Sequence, residues 1–324
     1  MQTRRETLKQ SAIVAGLMVG IVGSAEAQQA PPNYPTRAIT VICPWAPGGG
    51  ADLQARAFAV VASKYFGQPL VIVNKPGASG SVAHNAFRNE KPDGYSLIIT
   101  GNSPSTVFPN LEKVTYDPVN DFDFLGRITN MHNVLTVKQD ARWKTINEFI
   151  DYAKANPGRV RVGTSGANSL DDLMLRRMNQ ELGIQLLGVG FGSSGEGVVA
   201  VLGGHIDANF SGVLSVLTSV KSGDLRVLAS TRSTRDASMS DVPTFIEKGM
   251  DISLSNSIGL AAPKGTSKEI VAFLEAAFKK TIDDAGFQAS ASKLGLIVSY
   301  LNGADFKKAT ADELAKVKKI VSSK

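Results

Sequence analysis

Four times along this chain an apolar run of strand length ends in a Gly/Ser turn and gives way to a segment of helical period. The turns are "APGGGAD" (46–52), "PGASGS" (76–81), "TSGANS" (164–169) and "FGSSGE" (191–196). Each turn aims unpaired backbone N–H groups of a helix start at the carboxyl end of a sheet. Those N–H groups and the positive end of the helix dipole favour an anion, and ligands of open α/β sheets sit at the same strand ends. One glycine turn would say little, because glycines serve tight loops everywhere. Two turns fall in the first third of the chain and two in the middle third. The pattern therefore predicts an α/β protein of two lobes facing across a cleft, each contributing two anion-binding corners.

The intervening segments agree. Strands are expected at "ITVIC" (39–43), "PLVIVN" (69–74), "SLIIT" (96–100), "RVRVGT" (159–164), "IDANFS" (206–211) and "RVLAS" (226–230). Several are apolar on both faces, as in a mostly parallel sheet flanked by helices. Thr145-Ile146-Asn147-Glu148 reads as a capping box, followed by an apolar face of Ile146, Phe149, Ile150 and Ala153. Ser169-Leu170-Asp171-Asp172 starts a helix with acids at its positive end, and Gly183 closes it. "SKEIVAFLEAAFKKTIDDAG" reads as one further helix and "ADFKKATADELAKVKKIVSS" as an amphipathic last one with a solvated lysine face.

The first 27 residues have a separate logic. Arg4, Arg5 and Lys9 precede an apolar stretch from Ala12 to Gly23 and a small-x-small end at Ala25-Glu26-Ala27, the layout of an export signal cleaved after about Ala27. The apolar stretch is short for a membrane span, which needs about 20 residues. "TRRETLK" resembles a twin-arginine address with Thr7 in place of its usual Phe, so Sec and twin-arginine export both remain open. The mature chain is expected in the periplasm. Its single cysteine, Cys43, cannot form an internal disulfide and ends an apolar run, reading as a small core residue. The net charge of +6 falls to +5 without the signal, whose three cations outnumber Glu6 and Glu26 by one. That bias steers small anions. The basic residues form no stripe, which argues against a nucleic-acid partner.

Catalytic patterns are missing from the turns. There is no G-x-x-x-x-G-K-[ST], the contiguous glycines at 48–50 do not match G-x-G-x-x-G, and no G-x-S-x-G occurs. His84, His132 and His205 have no metal-ligand spacing and read as surface or hydrogen-bonded structural histidines. Asp52 reads as a first-turn residue that orders the glycine loop, not as a general base. Trp45 fits either the core or the cleft. No metal and no cofactor are expected. An exported hydrolase of small carboxylate esters, using the same cleft, is the alternative to a receptor.

"YPTRAITVICPWAPGGGADLQARAFA", "VIVNKPGASGSVAHNAFRNEKPDGYSLIIT", "SGDLRVLASTRSTRDASMSDVPTFIEKG" and "GLAAPKGTS" resemble the solute receptors of tripartite tricarboxylate transporters, the Bug family. The most specific pieces are P-x-x-P-G-G-x-x-D, N-K-P-G-A-x-G with P-D-G-Y, and D-V-P-T. The resemblance implies a two-lobe, type II-like periplasmic binding protein that closes on a small carboxylate held by backbone amides and bridging waters. It matches Pro47, Gly48, Gly49, Asp52, Pro76, Gly77 and Gly80 to the family's pattern. Two departures fall where selectivity is expected. Where relatives often have His before Leu173, this chain has Asp171-Asp172, and where they often have Y-K-G it has Phe191-Gly192-Ser193.

The residues expected around the ligand are Trp45, Ala46, Pro47, Gly48, Gly49, Gly50 and Asp52 from the first turn, and Ala78, Ser79, Gly80 and Ser81 from the second. Asn102 and Ser103 join them. The opposite lobe is expected to supply Thr164, Ser165, Gly166, Gly192, Ser193, Ser194 and Asn209. The lobes are expected at 34–131 with 257–324 and at 132–256, with hinges near "NMHNVLTV" and "NSIGLAAP". A monomer is expected, handing its organic acid to membrane subunits of such a transporter or to a sensor.

Overall fold

The computed structural model describes residues 30–235, 239–250, 252 and 254–322; the expected export signal, residues 1–27, lies outside them. Two mixed sheets, each flanked by helices, make two lobes. The first sheet contains β1 (Ile39–Cys43), β2 (Leu70–Asn74), β3 (Ser96–Gly101), β4 (Phe122–Met131), β10 (Asn256–Pro263) and β11 (Val298–Asn302), in the order β11-β4-β10-β3-β1-β2. The second contains β5 (Asn133–Lys138), β6 (Val160–Thr164), β7 (Leu186–Gly190), β8 (Ala208–Gly212) and β9 (Leu225–Ser230), in the order β7-β6-β8-β5-β9. β1 runs parallel to β2 and β3, and β6 to β7 and β8. β10, β11 and β5 run against their neighbours.

Each parallel step is bridged by a helix. α1 (Gly50–Phe66) follows β1, α2 (Ser81–Phe87) follows β2, and a π-helical turn at Ser103–Val107 leads from β3 into α3 (Phe108–Leu111). In the second lobe α4 (Ile146–Ala155), α5 (Leu170–Leu182), α6 (Ser194–Leu202) and α7 (Val213–Lys221) alternate with the strands. α8 (Lys268–Asp283), α9 (Ala285–Leu294) and α10 (Gly303–Ser322) return to the first lobe.

The local signals work as capping chemistry requires. Thr145 and Glu148 exchange both bonds of the capping box, Ser169 accepts from Asp172 N–H, and Gly183 closes α5 in the left-handed region at φ 62°. The segment read as one helix at 267–286 is two. Asp284 leaves helical geometry and caps α9 through Gly286 N–H at 2.7 Å, while Lys64 and Tyr65 of α1 bind its other oxygen. A competing cap with two tertiary partners outweighs the continuous helical period there.

The sequence reading also missed β4, β5, β7, β10 and β11. β10, "NSIGLAAP", is poor in β-branched and aromatic residues, yet it lies centrally between β3 and β4. Its Gly259 is required by proximity, since a Cβ there would stand 2.3 Å from Gly126 O. Tertiary pairing decides such a strand, not propensity.

Aromatic rings fill the first core, where Phe58 meets Phe66, Phe278 and Phe287 from α1, α8 and α9. Phe149, Phe210 and Phe245 anchor the second. Cys43 is fully buried in the first core, and burial pushes its thiol up to about 11. The chain passes from one sheet to the other at Met131-His132-Asn133 and returns at Asn256. Asn133 ties the crossing together, accepting from Thr231 N–H at 2.9 Å while its own N–H reaches Thr231 Oγ1.

Candidate functional site

The site begins where β1 ends. The chain turns through Gly48, left-handed at φ +79°, into α1. Asp52, in the first turn of α1, bends back over this loop. Its Oδ2 accepts Gly48 N–H at 3.0 Å and Arg56 Nε at 3.0 Å, and its Oδ1 accepts Asn74 Nδ2 at 2.9 Å. Asn74 also donates to Trp45 O. Burial alone would raise the carboxyl of Asp52. Donation from Arg56, Gly48 and Asn74 outweighs it and holds the group below its ordinary value. Asp52 therefore stands behind the loop and fixes its path into α1.

The second lobe repeats the device at α5. Asp172 accepts Asn168 N–H at 2.8 Å, four residues back, and pairs with Arg176 at 2.7 Å, four residues on. At α6 a longer acid does the same, Glu196 accepting Gly192 N–H at 2.9 Å. Asp171 differs from all three. It is fully buried and accepts Ser165 N–H at 3.1 Å and the side-chain amide of Asn133. Desolvation pushes its carboxyl up to about 6 against the donors from Ser165 and Asn133, with the charge of Asp172 adding to the rise.

The turn at 77–81 is built otherwise. Gly77, Ala78, Ser79 and Gly80 all have positive φ, a strained run for Ala78 and Ser79 that persists only where surroundings hold it. His84 provides part of that hold. Its Nδ1 lies 3.0 Å from Gly80 O and its Nε2 3.2 Å from Thr100 Oγ1, which is 2.8 Å from Ser105 Oγ. A carbonyl only accepts, so Nδ1 carries the proton and Nε2 accepts from Thr100. Burial lowers this imidazole to about 4, so it is neutral and structural, buried rather than at the surface.

The lobes touch across the cleft. Ala46 N–H donates to Gly192 O at 3.0 Å, Gly50 N–H to Ser215 Oγ at 3.2 Å, Leu170 N–H to Ser103 Oγ at 3.1 Å, and Ser79 Oγ to Ala167 O at 2.6 Å. A Cβ on Gly49 would lie 2.8 Å from Ser193 Cβ, so this glycine is required by the approach of the other lobe. Between these contacts is a cavity of about 50 Å³. Of the residues expected at a ligand, Trp45, Gly49, Gly50, Ser103, Ser165, Ser193 and Ser194 line it. Ala78, Ser79, Gly80, Gly166 and Gly192 instead line a more open space of about 350 Å³ at the mouth, which Trp45 and Ser165 also border. Trp45 thus belongs to core and cleft at once.

The remaining expected residues line neither space. Ala46, Pro47, Gly48 and Asp52 form the frame of the first loop, and Thr164 bonds within its own turn to Gly166 O at 3.3 Å. Ser81 starts α2 beside Tyr116. Asn102 accepts Ser257 N–H at 2.6 Å and faces a separate cavity with Arg127 and Glu313. Asn209 is buried beneath α6, its amide donating to Ser211 Oγ. Sequence reasoning missed Ala51, Gln54, Met131, Gly212, Val213, Leu214, Ser215, Asn256 and Ile258 as lining residues, and it marked Asp171 only as part of a departure where selectivity is expected. One signal was available. "SGVLS" (211–215) is a fifth turn after a strand, opening α7 as the others open their helices.

The starts of α1, α5, α6 and α7 therefore meet at one cavity, and among the described residues no Lys, Arg or His lines it. Gln54 adds a side-chain amide whose Oε1 accepts from Thr129 Oγ1. Among the described residues no group of three or more His, Cys, Asp or Glu could hold a metal ion.

The geometry is that of two lobes with helix starts from both meeting at a cavity between them. Residues 54–324 match the model of the tripartite tricarboxylate transporter family receptors, and the chain belongs to that family. A relative from Cupriavidus necator, the UPF0065 protein in the gbd 5' region, is 31% identical over 98% of this chain and 97% of its own length. Among solved structures, MatC from Rhodopseudomonas palustris with bound malate is similar at TM-score 0.83 and 26% identity, covering 89% of this chain and 100% of that one. A second R. palustris protein, solved with adipate, is similar at TM-score 0.84 and 25% identity, covering 89% and 97%.

Proposed function

We propose that this protein is a periplasmic receptor that binds a small organic carboxylate between its lobes and does no chemistry on it. The carrying observation is the convergence of helix starts, whose first turns carry N–H donors, from both lobes on one cavity with no basic side chain among its described lining residues. Such donors hold a carboxylate by charge-assisted hydrogen bonds, each worth about 1.5–3 kcal/mol. Several of them, less the cost of ordering, suit affinity near about 1 μM. The similarity to proteins solved with malate and adipate supports the carboxylate class.

The moving parts are the lobes 34–131 with 257–324 and 132–256, hinged at the two crossings between the sheets. A cavity of 50 Å³ takes a handful of waters, so the lobes part to admit an acid and re-form their direct contacts around it. The signal at 1–27 exports the chain, which works as a monomer without cofactor and delivers its acid to membrane subunits of a tripartite tricarboxylate transporter or to a sensor.

A thermal-shift screen of small carboxylates on residues 28–324 tests this. At least one acid is expected to raise the melting temperature and to be recovered unchanged. Stabilisation by none of them overturns the carboxylate reading, and hydrolysis of the corresponding methyl esters to acid and methanol restores the hydrolase alternative.

A further inference from the structure

Asp171 is not needed for the job its position suggests. An acid in the first turn of α5 would hold the loop before the helix, but Asp172 already does so through Asn168 N–H and Arg176. The stretch 171–176, "DDLMLR", repeats 51–56, "ADLQAR", in type and geometry. In each, the second residue holds the loop and the last is its arginine partner. The first residue of each stretch, Ala51 or Asp171, lines the interlobe cavity. One lobe thus presents a methyl group there and the other a carboxylate.

That carboxylate is 2% exposed and no ion pair among the described residues involves it. Buried charges are ordinarily paired, because desolvation otherwise penalises them heavily. Its donors, the N–H and hydroxyl of Ser165 and the side-chain amide of Asn133, are neutral and fix its direction. Another part of the lining is polarised the opposite way. Gly49 at the start of α1, Ser193 and Ser194 at the start of α6 and the hydroxyl of Ser215 of α7 favour an anion. The cavity therefore has an anion-accepting side and one acidic wall.

Resting on the receptor reading above, we propose that Asp171 selects a carboxylate that also carries a hydrogen-bond donor, a hydroxyl or an ammonium group, and receives that donor. The ligand's carboxylate lies against α1 and α6. A plain acid brings Asp171 no donor beyond those of Ser165 and Asn133, and a second carboxylate at that wall is repelled.

Calorimetric titration of matched acids tests the assignment. Propionate, lactate and alanine share one skeleton, and succinate, malate and aspartate another. In the wild-type protein the donor-bearing acids of the accommodated skeleton are expected to bind about tenfold or more tightly than the plain one, the worth of one charge-assisted bond. In Asp171→Asn that gap is expected to narrow to about threefold or less, with the ammonium acid losing most, while the plain acid binds at least as well as before. Unchanged binding of the plain acid also shows that the variant is folded. Equal wild-type affinity within both skeletons overturns the inference and leaves the receptor reading standing, as does a gap that survives in Asp171→Asn. If no acid of either series binds either protein, the inference falls, and the receptor reading falls with it when the thermal-shift screen also finds no stabilising acid.

Discussion

The α1 and α5 corners carry the same six-residue device and use it to different ends. In both, an acid accepts the N–H four residues back and pairs with the arginine four residues on. In both, the preceding residue faces the cavity. The difference is Ala51 against Asp171. Asp52 is held low by its donors, whereas Asp171, buried without a cation, is pushed up to about 6. Three aspartates thus divide into two scaffolding groups and one, Asp171, that lines the cavity. Their roles follow from which way each points from its helix.

The largest expected effect tests the open side of the α1 corner. Gly49 has φ −77°, which any residue adopts, but its Cβ would collide with Ser193. Gly49→Val should leave the melting temperature nearly unchanged and weaken carboxylate binding by about 100-fold or more, equivalent to losing two charge-assisted bonds. Calorimetric affinity close to wild type would remove the first loop from the site.

Next come the two scaffolds. Asp52→Asn and Asp172→Asn should each cost about 1–3 kcal/mol of stability in urea unfolding, since each leaves a loop N–H and an arginine poorly paired. The loss of ligand affinity should be smaller than in Gly49→Val. If one substitution destabilises and the other does not, the likeness of the corners is only formal.

Acid titration separates Asp171 from both. A carboxyl raised in the folded state from 3.8 to about 6 contributes stability that is fully present below 3.8 and is lost as pH rises through about 6. Asp52, lowered on folding, contributes stability above its unfolded value and loses it as pH falls. Asp171→Asn should therefore flatten the part of the stability profile between 3.8 and about 6, and Asp52→Asn should weaken the fall at lower pH. Identical profiles for the two variants would contradict the division of roles.

The smallest effect concerns the mouth. Ser79→Ala removes the bond to Ala167 O that joins the lobes outside the cavity. It should speed ligand release by about threefold to tenfold, the worth of one neutral hydrogen bond, in stopped-flow chase experiments. Loss of binding as severe as in Gly49→Val would move the mouth loop into the site itself.

Much of this was legible in the chain. Local signals act within one turn of backbone, so the glycine turns, the capping box at Thr145, the cap at Ser169 and the loop-holding role of Asp52 could be read directly. Residues such as Ser103, Ser165 and Ser193 could likewise be placed at the cleft. Asn102 and Asn209 could not be separated from them, because they differ only in which strand neighbour claims their amides, Ser257 for one and Ser211 for the other.

The sequence by itself determined an α/β chain with glycine corners at its strand ends, because helix starts, caps and left-handed turns depend on a few consecutive residues. Only the tertiary structure decided which corners share a cavity, that α7 supplies another, and that Asp171 rather than Asp172 faces it. Successive residues on a helix point about 100° apart. Which of two adjacent aspartates meets the cleft is therefore set by how the sheets orient that helix against the other lobe.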